Sequence, residues 1–338
     1  MKTDTLLLPE LTARTTVAIT EWSTEAVVDR IEPLTGGSSS LTFVVSLSNV
    51  AVEYQRIVLK VAPPGLPPVR NRDVLRQGRI MQVLAEQPGV RVPAVLFADP
   101  GRSDEVPPFI AMEMIDGRCV EPVLVPRGTL PKAEVTSLAF DAVRVLADLH
   151  RVDPEPTVLC AEPVVTLAAE IDRWARAFST VPVDLRTGHE AVAQRLHETV
   201  PPPMAPAFTH GDYRLGNTLS SAGRVNAVID WEIWSLGDPR VDVSWLTFFT
   251  DDACHPASLS DEPTGMPCAR DLIAAYEDAR GERLADLVWF EALTKYKEAA
   301  ATALLIKRAR KAATLNEMHR RMEPALPVLL DEAMALLR

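Results

Sequence analysis

Apolar positions change their rhythm partway along the chain. Up to residue 115 they come in short runs suited to strands: 41–48 (LTFVVSLS), 56–62 (RIVLKVA), 90–99 (VRVPAVLFAD) and 108–115 (PFIAMEMI), rich in β-branched and aromatic residues. Residues 24–34 lead into Gly36-Gly37-Ser38-Ser39-Ser40, a small-residue turn ahead of the first run. PPGLPP at 63–68 breaks the pattern, and 72–86 suit a helix with Val74, Ile80, Met81 and Leu84 as its stripe. Beyond this the period becomes helical. Val135, Leu138, Ala139, Val143, Leu146 and Leu149 predict a strong helix over 131–150, with others expected at 164–180, 187–199, 240–250, 270–280 and 284–319. A short hairpin interrupts them at 218–230, turning at SAGR. The expectation is an α+β chain in two lobes: a small, mainly β N-lobe over 1–115 and a larger, mainly α C-lobe over 116–338, joined around Glu113 to Gly117.

Composition narrows the class. The 338 residues exceed what one hydrophobic core usually holds. A chain 47% hydrophobic and 24% charged has the balance of an ordinary soluble protein. Net charge of −11 argues against nucleic acid or an anionic membrane as partner. The charge is uneven, −2 up to Ile115 and −9 beyond. A cation is therefore the easier guess for a charged substrate on the second part, although a solvated acidic surface explains the same imbalance. The four cysteines, Cys119, Cys160, Cys254 and Cys268, make no C-x-x-C pair and suggest no disulfide framework. The start MKTDTLLLPE is not a signal peptide, and no apolar stretch nears the ~20 residues that span a bilayer. The expected setting is cytoplasmic.

The chemistry lies in 210–230. His210-Gly211-Asp212-Tyr213-Arg214-Leu215-Gly216-Asn217 is followed by the hairpin and then Ile229-Asp230-Trp231-Glu232. Phosphoryl transfer from ATP needs a carboxylate that orients a hydroxyl and takes its proton. It also needs hard oxygen ligands for Mg²⁺ and a positive group near the transferring phosphoryl. Asp212 suits the base. Asn217 and Asp230 suit the magnesium ligands, because the hairpin returns Asp230 beside Asn217. Arg214 could reach the γ-phosphate. Taken singly, Asp212 reads as a turn residue and Asn217 as a local cap; their joint spacing with Asp230 favours function. His210 reads as a structural hydrogen-bonder and Glu232 as a supporting residue.

D-x-x-x-x-N followed by an aspartate at a strand end is the arrangement of protein kinases. Gly211-Asp212 stands where those carry R-D. H-G-D-x-x-x-x-N marks the aminoglycoside phosphotransferase family. The wider stretch HGDYRLGNTL…VIDWEIWSLGDPRVDVSWL resembles one branch of it, the kinase-like domains found alone in bacteria or fused to acyl-CoA dehydrogenases in animals. The resemblance covers nearly the whole chain, from Leu34-Thr35-Gly36-Gly37 to the late helix with Tyr296. It implies a protein-kinase-like fold and ATP- and Mg²⁺-dependent phosphorylation of a small-molecule hydroxyl. It further implies that Asp242, rather than joining Asp238 as a metal ligand, anchors the catalytic loop's backbone. Gly36, Gly37, Ser38 and Ser39 would cover phosphates with their N–H groups, and Lys60 would bind the α- and β-phosphates. The backbone of Glu113 and Met114 would meet adenine. The branch suggests a hydroxyacyl-CoA or hydroxy acid as acceptor, the broader family an aminoglycoside; a choline- or sugar-like metabolite is also open. Acceptor groups are expected from 160–200 and 250–280.

Two positions depart from the branch. Gln77 stands where a helix glutamate usually faces the lysine; it can accept a hydrogen bond but supplies no charge. Asp73, one turn earlier, is a candidate substitute. Ser40 replaces a usual Asn. Gln77 motivates a rival reading, a nucleotide-binding module with little or no catalysis. Other patterns are set aside. Asp251-Asp252-x-Cys254-His255 with Cys268 fits no common zinc spacing. Lys307-Arg308-Ala309-Arg310-Lys311 reads as a solvated helix face. Trp174 and Trp245 read as core, with a substrate platform as the lesser alternative.

Overall fold

A five-stranded antiparallel sheet dominates the first part of the computed structural model, which describes residues 2–34, 40–126, 128–253, 255–259 and 262–338. The expected phosphate loop, Gly36, Gly37, Ser38 and Ser39, lies outside the described residues. Ahead of the sheet runs α1 (Lys2–Trp22), a helix the sequence pattern did not predict. Its buried face mixes Arg14 and Thr15 with Leu11 and Ile19, so no clean apolar stripe marks it. Arg14 reaches the Asp99 carboxylate at 2.6 Å and the Pro107 carbonyl at 2.9 Å. The Thr15 hydroxyl donates to the Leu11 carbonyl at 2.7 Å.

The elements that follow are β1 (Val27–Pro33), β2 (Leu41–Ser48), β3 (Arg56–Val61), α2 (Val74–Ala85), β4 (Val95–Asp99) and β5 (Phe109–Glu113), with sheet order β1-β2-β3-β5-β4. The expected strand at 90–99 starts only at Val95, after Pro93, which has no N–H for a ladder. Alternation along β3 divides its side chains between two faces. Ile57, Leu59 and Val61 join Phe43, Val45 and Phe109 in the core shared with α1. Lys60 takes the other face, opposite Ile110 on β5. There α2 packs its Ile80, Met81 and Leu84 with Ile110. The approach is close: a Cβ on Gly78 would lie 3.0 Å from Ile110 Cγ2.

The second part is helical. It comprises α3 (Lys132–Arg151), β6 (Val164–Val165), α4 (Leu167–Ser179), α5 (His189–Glu198), β7 (Ala207–Thr209), β8 (Thr218–Ser221), β9 (Arg224–Val228), β10 (Ser235–Gly237), α6 (Arg240–Thr247), α7 (Ala269–Arg280), α8 (Leu287–Ala312), α9 (Glu317–Met322) and α10 (Ala325–Leu336). All six residues of the apolar stripe predicted for α3 are buried. The helix expected over 284–319 breaks in two. Ala313 turns left-handed, with φ 53°, and Asn316 then caps α9 by accepting the His319 N–H at 3.0 Å. The central helix α8 is buried on nearly every side, and its Ala299, Ala300 and Ala303 leave room for its neighbours to approach. Among the described residues no helix is long and apolar enough to cross a membrane.

Candidate active site

The loop after β7 is held by one buried carboxylate. Asp242, on α6, accepts the backbone N–H groups of His210 at 2.6 Å and Gly211 at 2.8 Å, with His150 Nε2 at 3.3 Å. Burial pushes the Asp242 pKa up, but the hydrogen bond and charge of His150, with His210, hold it below the ordinary carboxylate value. Asp238 is spent elsewhere, on a buried pair with Arg240 at 2.7 Å. His210 is a structural hydrogen-bonder. Its Nε2 donates to the Ile229 carbonyl at 2.8 Å and its Nδ1 accepts the Asp212 N–H at 3.2 Å. Gly211 has φ 83°, and any side chain there would strike the Ile233 carbonyl, 2.8 Å from its Cβ.

This bracing presents Asp212 with both carboxylate oxygens engaged. Asn217 Nδ2 donates to Oδ2 at 2.8 Å and Trp245 Nε1 donates to Oδ1 at 2.5 Å. Arg214 Nε lies 3.4 Å from Oδ1. The hairpin of β8 and β9 then returns the chain, and the Ile229 N–H donates to the Asn217 carbonyl at 2.9 Å. Asp230 follows with left-handed backbone, φ 66°, a strained conformation of the kind found at functional sites. Its Oδ1 accepts from Lys60 Nζ at 2.9 Å. Burial works to raise the Asp230 pKa, but Lys60 outweighs it and keeps the carboxylate ionised. Asp212, Arg214, Asn217, Asp230 and Lys60 are thus brought together. Asn217 commits its amide nitrogen to Asp212, so its carbonyl oxygen and the Asp230 carboxylate are the oxygen donors that could hold a divalent cation.

The N-lobe side departs from expectation. Gln77 is buried, yet its Nε2 donates to the Asn71 carbonyl at 3.1 Å and its Oε1 has no hydrogen-bond partner. Asp73 does not substitute: it caps α2 by accepting the Arg76 N–H at 2.9 Å. Glu113 ends β5, and its N–H donates to the Ala94 carbonyl at 2.9 Å, so this group is not left for adenine. Its carboxylate accepts the Ala94 N–H at 3.0 Å, while Met114, next in line, is half-buried.

A cavity of about 400 Å³ opens onto Asp212. Trp174, Trp245 and Leu304 wall it, and Arg173, Lys297 and Arg308 bring charge to it. The first expected acceptor stretch, 160–200, contributes; none of the described residues of 250–280 does, and α8 supplies a wall. Sequence reasoning ranked Trp245 as core ahead of a substrate platform, and it missed Lys297 and Glu121. Trp245 follows Asp242 by three residues on α6, so one helix face anchors the loop and hydrogen-bonds the carboxylate. Lys297 donates to the Gly211 carbonyl and stands 3.9 Å from the centroid of the Trp245 ring. Burial lowers the Lys297 pKa against the pull of Glu170 and Asp212. Glu121 accepts the Gly216 N–H at 3.0 Å and reaches Arg214 at 3.5 Å. Burial pushes Glu121 up to about 7, and Glu232 and Glu298 are raised to about 7 for the same reason. Of the residues set aside as a zinc pattern, Cys254 lies outside the described residues. Asp251 and Asp252 bond Thr264 and the Ala269 N–H.

A small sheet lobe bearing Lys60, a helical lobe bearing the loop, and the hairpin between Asn217 and Asp230 define a protein-kinase-like fold. The model of the phosphotransferase enzyme family (APH) matches residues 30–287, and the chain belongs to that family. Among relatives, acyl-CoA dehydrogenase family member 11 of Pongo abelii is 26% identical over 258 residues, 73% of this chain and 33% of that protein. Member 10 of Mus musculus is 28% identical over 213 residues, 62% of this chain and 19% of that protein. The chain therefore spans a third or less of the length of these relatives. A Ralstonia eutropha protein assigned as an aminoglycoside phosphotransferase matches with TM-score 0.75 and 21% identity, covering 95% of this chain and 98% of its own. APH(4)-Ia in ternary complex with AMP-PNP and hygromycin B matches with TM-score 0.58 and 15% identity, covering 96% and 97%.

Proposed function

We propose that the protein transfers the γ-phosphoryl of ATP to a hydroxyl of a small molecule. The observation that carries this reading is the Asp212 carboxylate, fixed by Asn217 and Trp245 at the end of a cavity large enough for a metabolite. Asp212 orients the acceptor hydroxyl and takes its proton as the new O–P bond forms and the bond to the β-phosphate oxygen breaks, releasing ADP. Arg214 faces the transferring group. Lys60 leaves Asp230 for the α- and β-phosphates, which Gly36, Gly37, Ser38 and Ser39 cover. Gln77 supports Lys60, and Met114 with the remaining groups of Glu113 meets adenine. Asn217 and Asp230 would hold Mg²⁺, which supplies charge neutralisation on the phosphates. Residues 1–115 form the nucleotide-binding lobe, and 116–338 carry the catalytic loop and the acceptor site, in a cytoplasmic enzyme.

Two acceptor classes follow from the relatives: a hydroxyacyl-CoA or hydroxy acid, and an aminoglycoside, since kanamycin and hygromycin B occupy matched phosphotransferases. The reading is tested by ADP release over a panel of hydroxylated metabolites, wild type against Asp212→Asn. Turnover should fall at least about a hundredfold in the variant. Normal Mg-ATP binding without Asp212-dependent turnover of any acceptor would instead favour a nucleotide-binding module, the reading that the unpaired Gln77 Oε1 supports.

A further inference from the structure

The cavity at Asp212 contains a cation without a counter-ion. Lys297 is 3% exposed, yet among the described residues its ammonium makes no ion pair. One N–H goes to the Gly211 carbonyl, and the Trp245 ring lies against the charge. The acids that act on it from further off are Glu170, Asp212, Asp242 and Glu298, and all are engaged with others: Asp242 accepts the N–H groups of His210 and Gly211, and Glu298 accepts from the Thr302 hydroxyl at 2.9 Å. Glu170 accepts the Trp174 indole N–H at 2.7 Å and lies 3.7 Å from Arg173. Asp212 is bound by Asn217 and Trp245. A buried charge is normally paired, because leaving it alone in a low-dielectric interior costs several kcal/mol. An ammonium has three donors, and Lys297 lines the cavity.

The rest of the lining agrees. Arg173 and Arg308 add two more cations to the same cavity, against Asp212 and Glu232. Trp174, Trp245 and Leu304 offer an apolar wall beside these charges. The −9 of the second part as a whole made a cation the easier guess; the local sign at the cavity is the reverse.

We propose that Lys297, helped by Arg173 and Arg308 at the same cavity, is the specificity determinant for an oxyanion on the acceptor, which is an anionic hydroxy compound with an apolar body and not a polycation. This rests on the reading of Asp212 as the base for an acceptor hydroxyl. The apolar body lies along Trp174 and Leu304, and the charge sits by Lys297, leaving the hydroxyl to meet Asp212.

The test uses the full chain and three probes in isothermal titration: hexanoate, its neutral methyl ester, and kanamycin. Hexanoate should bind saturably, the ester at least about tenfold more weakly, and kanamycin more weakly still. Lys297→Met should weaken hexanoate about tenfold, while Lys297→Arg stays within about threefold of wild type. Equal binding of acid and ester, or unchanged hexanoate affinity in Lys297→Met, overturns the proposal. If Lys297→Met does not fold, the exposed Arg308→Ala takes its place: weakening of about threefold supports the site, and unchanged affinity overturns it. The two readings fail differently. Lys297-dependent hexanoate binding without Asp212-dependent ADP release from any acceptor supports the anion site and removes the kinase. Asp212-dependent phosphorylation of kanamycin without hexanoate binding keeps the kinase and overturns the anion site.

Discussion

The two sides of the cleft are built to different standards. On the C-lobe side almost every polar group near Asp212 has a partner, and Asp242 ties the loop's backbone to α6. On the N-lobe side, among the described residues, the Lys60 ammonium has one hydrogen bond, across the cleft to Asp230, and the helix residue that would support it has turned to Asn71. Under the proposed function, a fixed base beside a phosphate lysine that is free to change partners would keep acceptor geometry constant as the nucleotide comes and goes.

The comparison breaks first if the C-lobe brace is dispensable. Asp242→Ala leaves the N–H groups of His210 and Gly211 and the His150 ring without their acceptor in the interior. We expect a stability loss of about 4 kcal/mol by urea unfolding and loss of Asp212-dependent turnover. A folded, active Asp242→Ala protein would remove the rigid half of the contrast. On the other side, Lys60→Met should raise the KM for ATP about tenfold or more yet change stability by less than about 1 kcal/mol, because the pair it breaks includes a half-exposed Asp230. A stability loss as large as that of Asp242→Ala would mean the two sides are braced alike.

Gln77→Glu sharpens the contrast further. The carboxylate forfeits the bond to the Asn71 carbonyl, worth about 1 kcal/mol, and gains a charged bond to Lys60 worth about 1.5–3 kcal/mol. The balance predicts Mg-ATP binding about three- to tenfold tighter by titration. Unchanged or weaker affinity would show that Gln77 is not in reach of Lys60 even with nucleotide bound.

The same asymmetry governs what could be read from the amino-acid order. Asp212, Asn217 and Asp230 are close in sequence and joined by a hairpin, so their spacing alone brings them together. The cavity at Asp212 draws on α4, α6 and α8, which are far apart in sequence, and each contributor has an ordinary reading by itself. Trp174 and Trp245 are buried as core residues are, but they also wall the cavity. Arg308 sat in a basic run that reads as a solvated face; Arg310 of that run indeed pairs with Asp184 and Glu323, while Arg308 lines the cavity. The helix α1 was illegible because an arginine and a threonine occupy its buried face. Gln77 was placed by analogy on the right helix, but side-chain direction depends on a partner, and the Asn71 carbonyl took it.

The effect that depends on pH concerns the brace from Glu121, and its sign is instructive. Arg214 is held charged despite its burial, first by Asp212 and then by Glu121. Glu121 itself is pushed the opposite way, up to about 7, because its own desolvation outweighs one guanidinium shared with Asp212. We therefore take the ionised form of Glu121 to be a net cost to the fold. Below the ordinary carboxyl value of 4.5 both folded and unfolded chains hold the proton and there is no penalty. As pH rises from there towards 7 the unfolded chain loses the proton while the folded one keeps it, so stability declines, by up to about 3 kcal/mol. Above that window the penalty is complete and constant. Glu121→Gln keeps an oxygen for the Gly216 N–H and removes the titration. Its melting temperature should match wild type at pH 4 and exceed it by a few degrees at pH 8. Parallel melting curves across that range would mean that Arg214 fully compensates the buried charge, and that the catalytic loop is braced by an ion pair instead of a neutral acid.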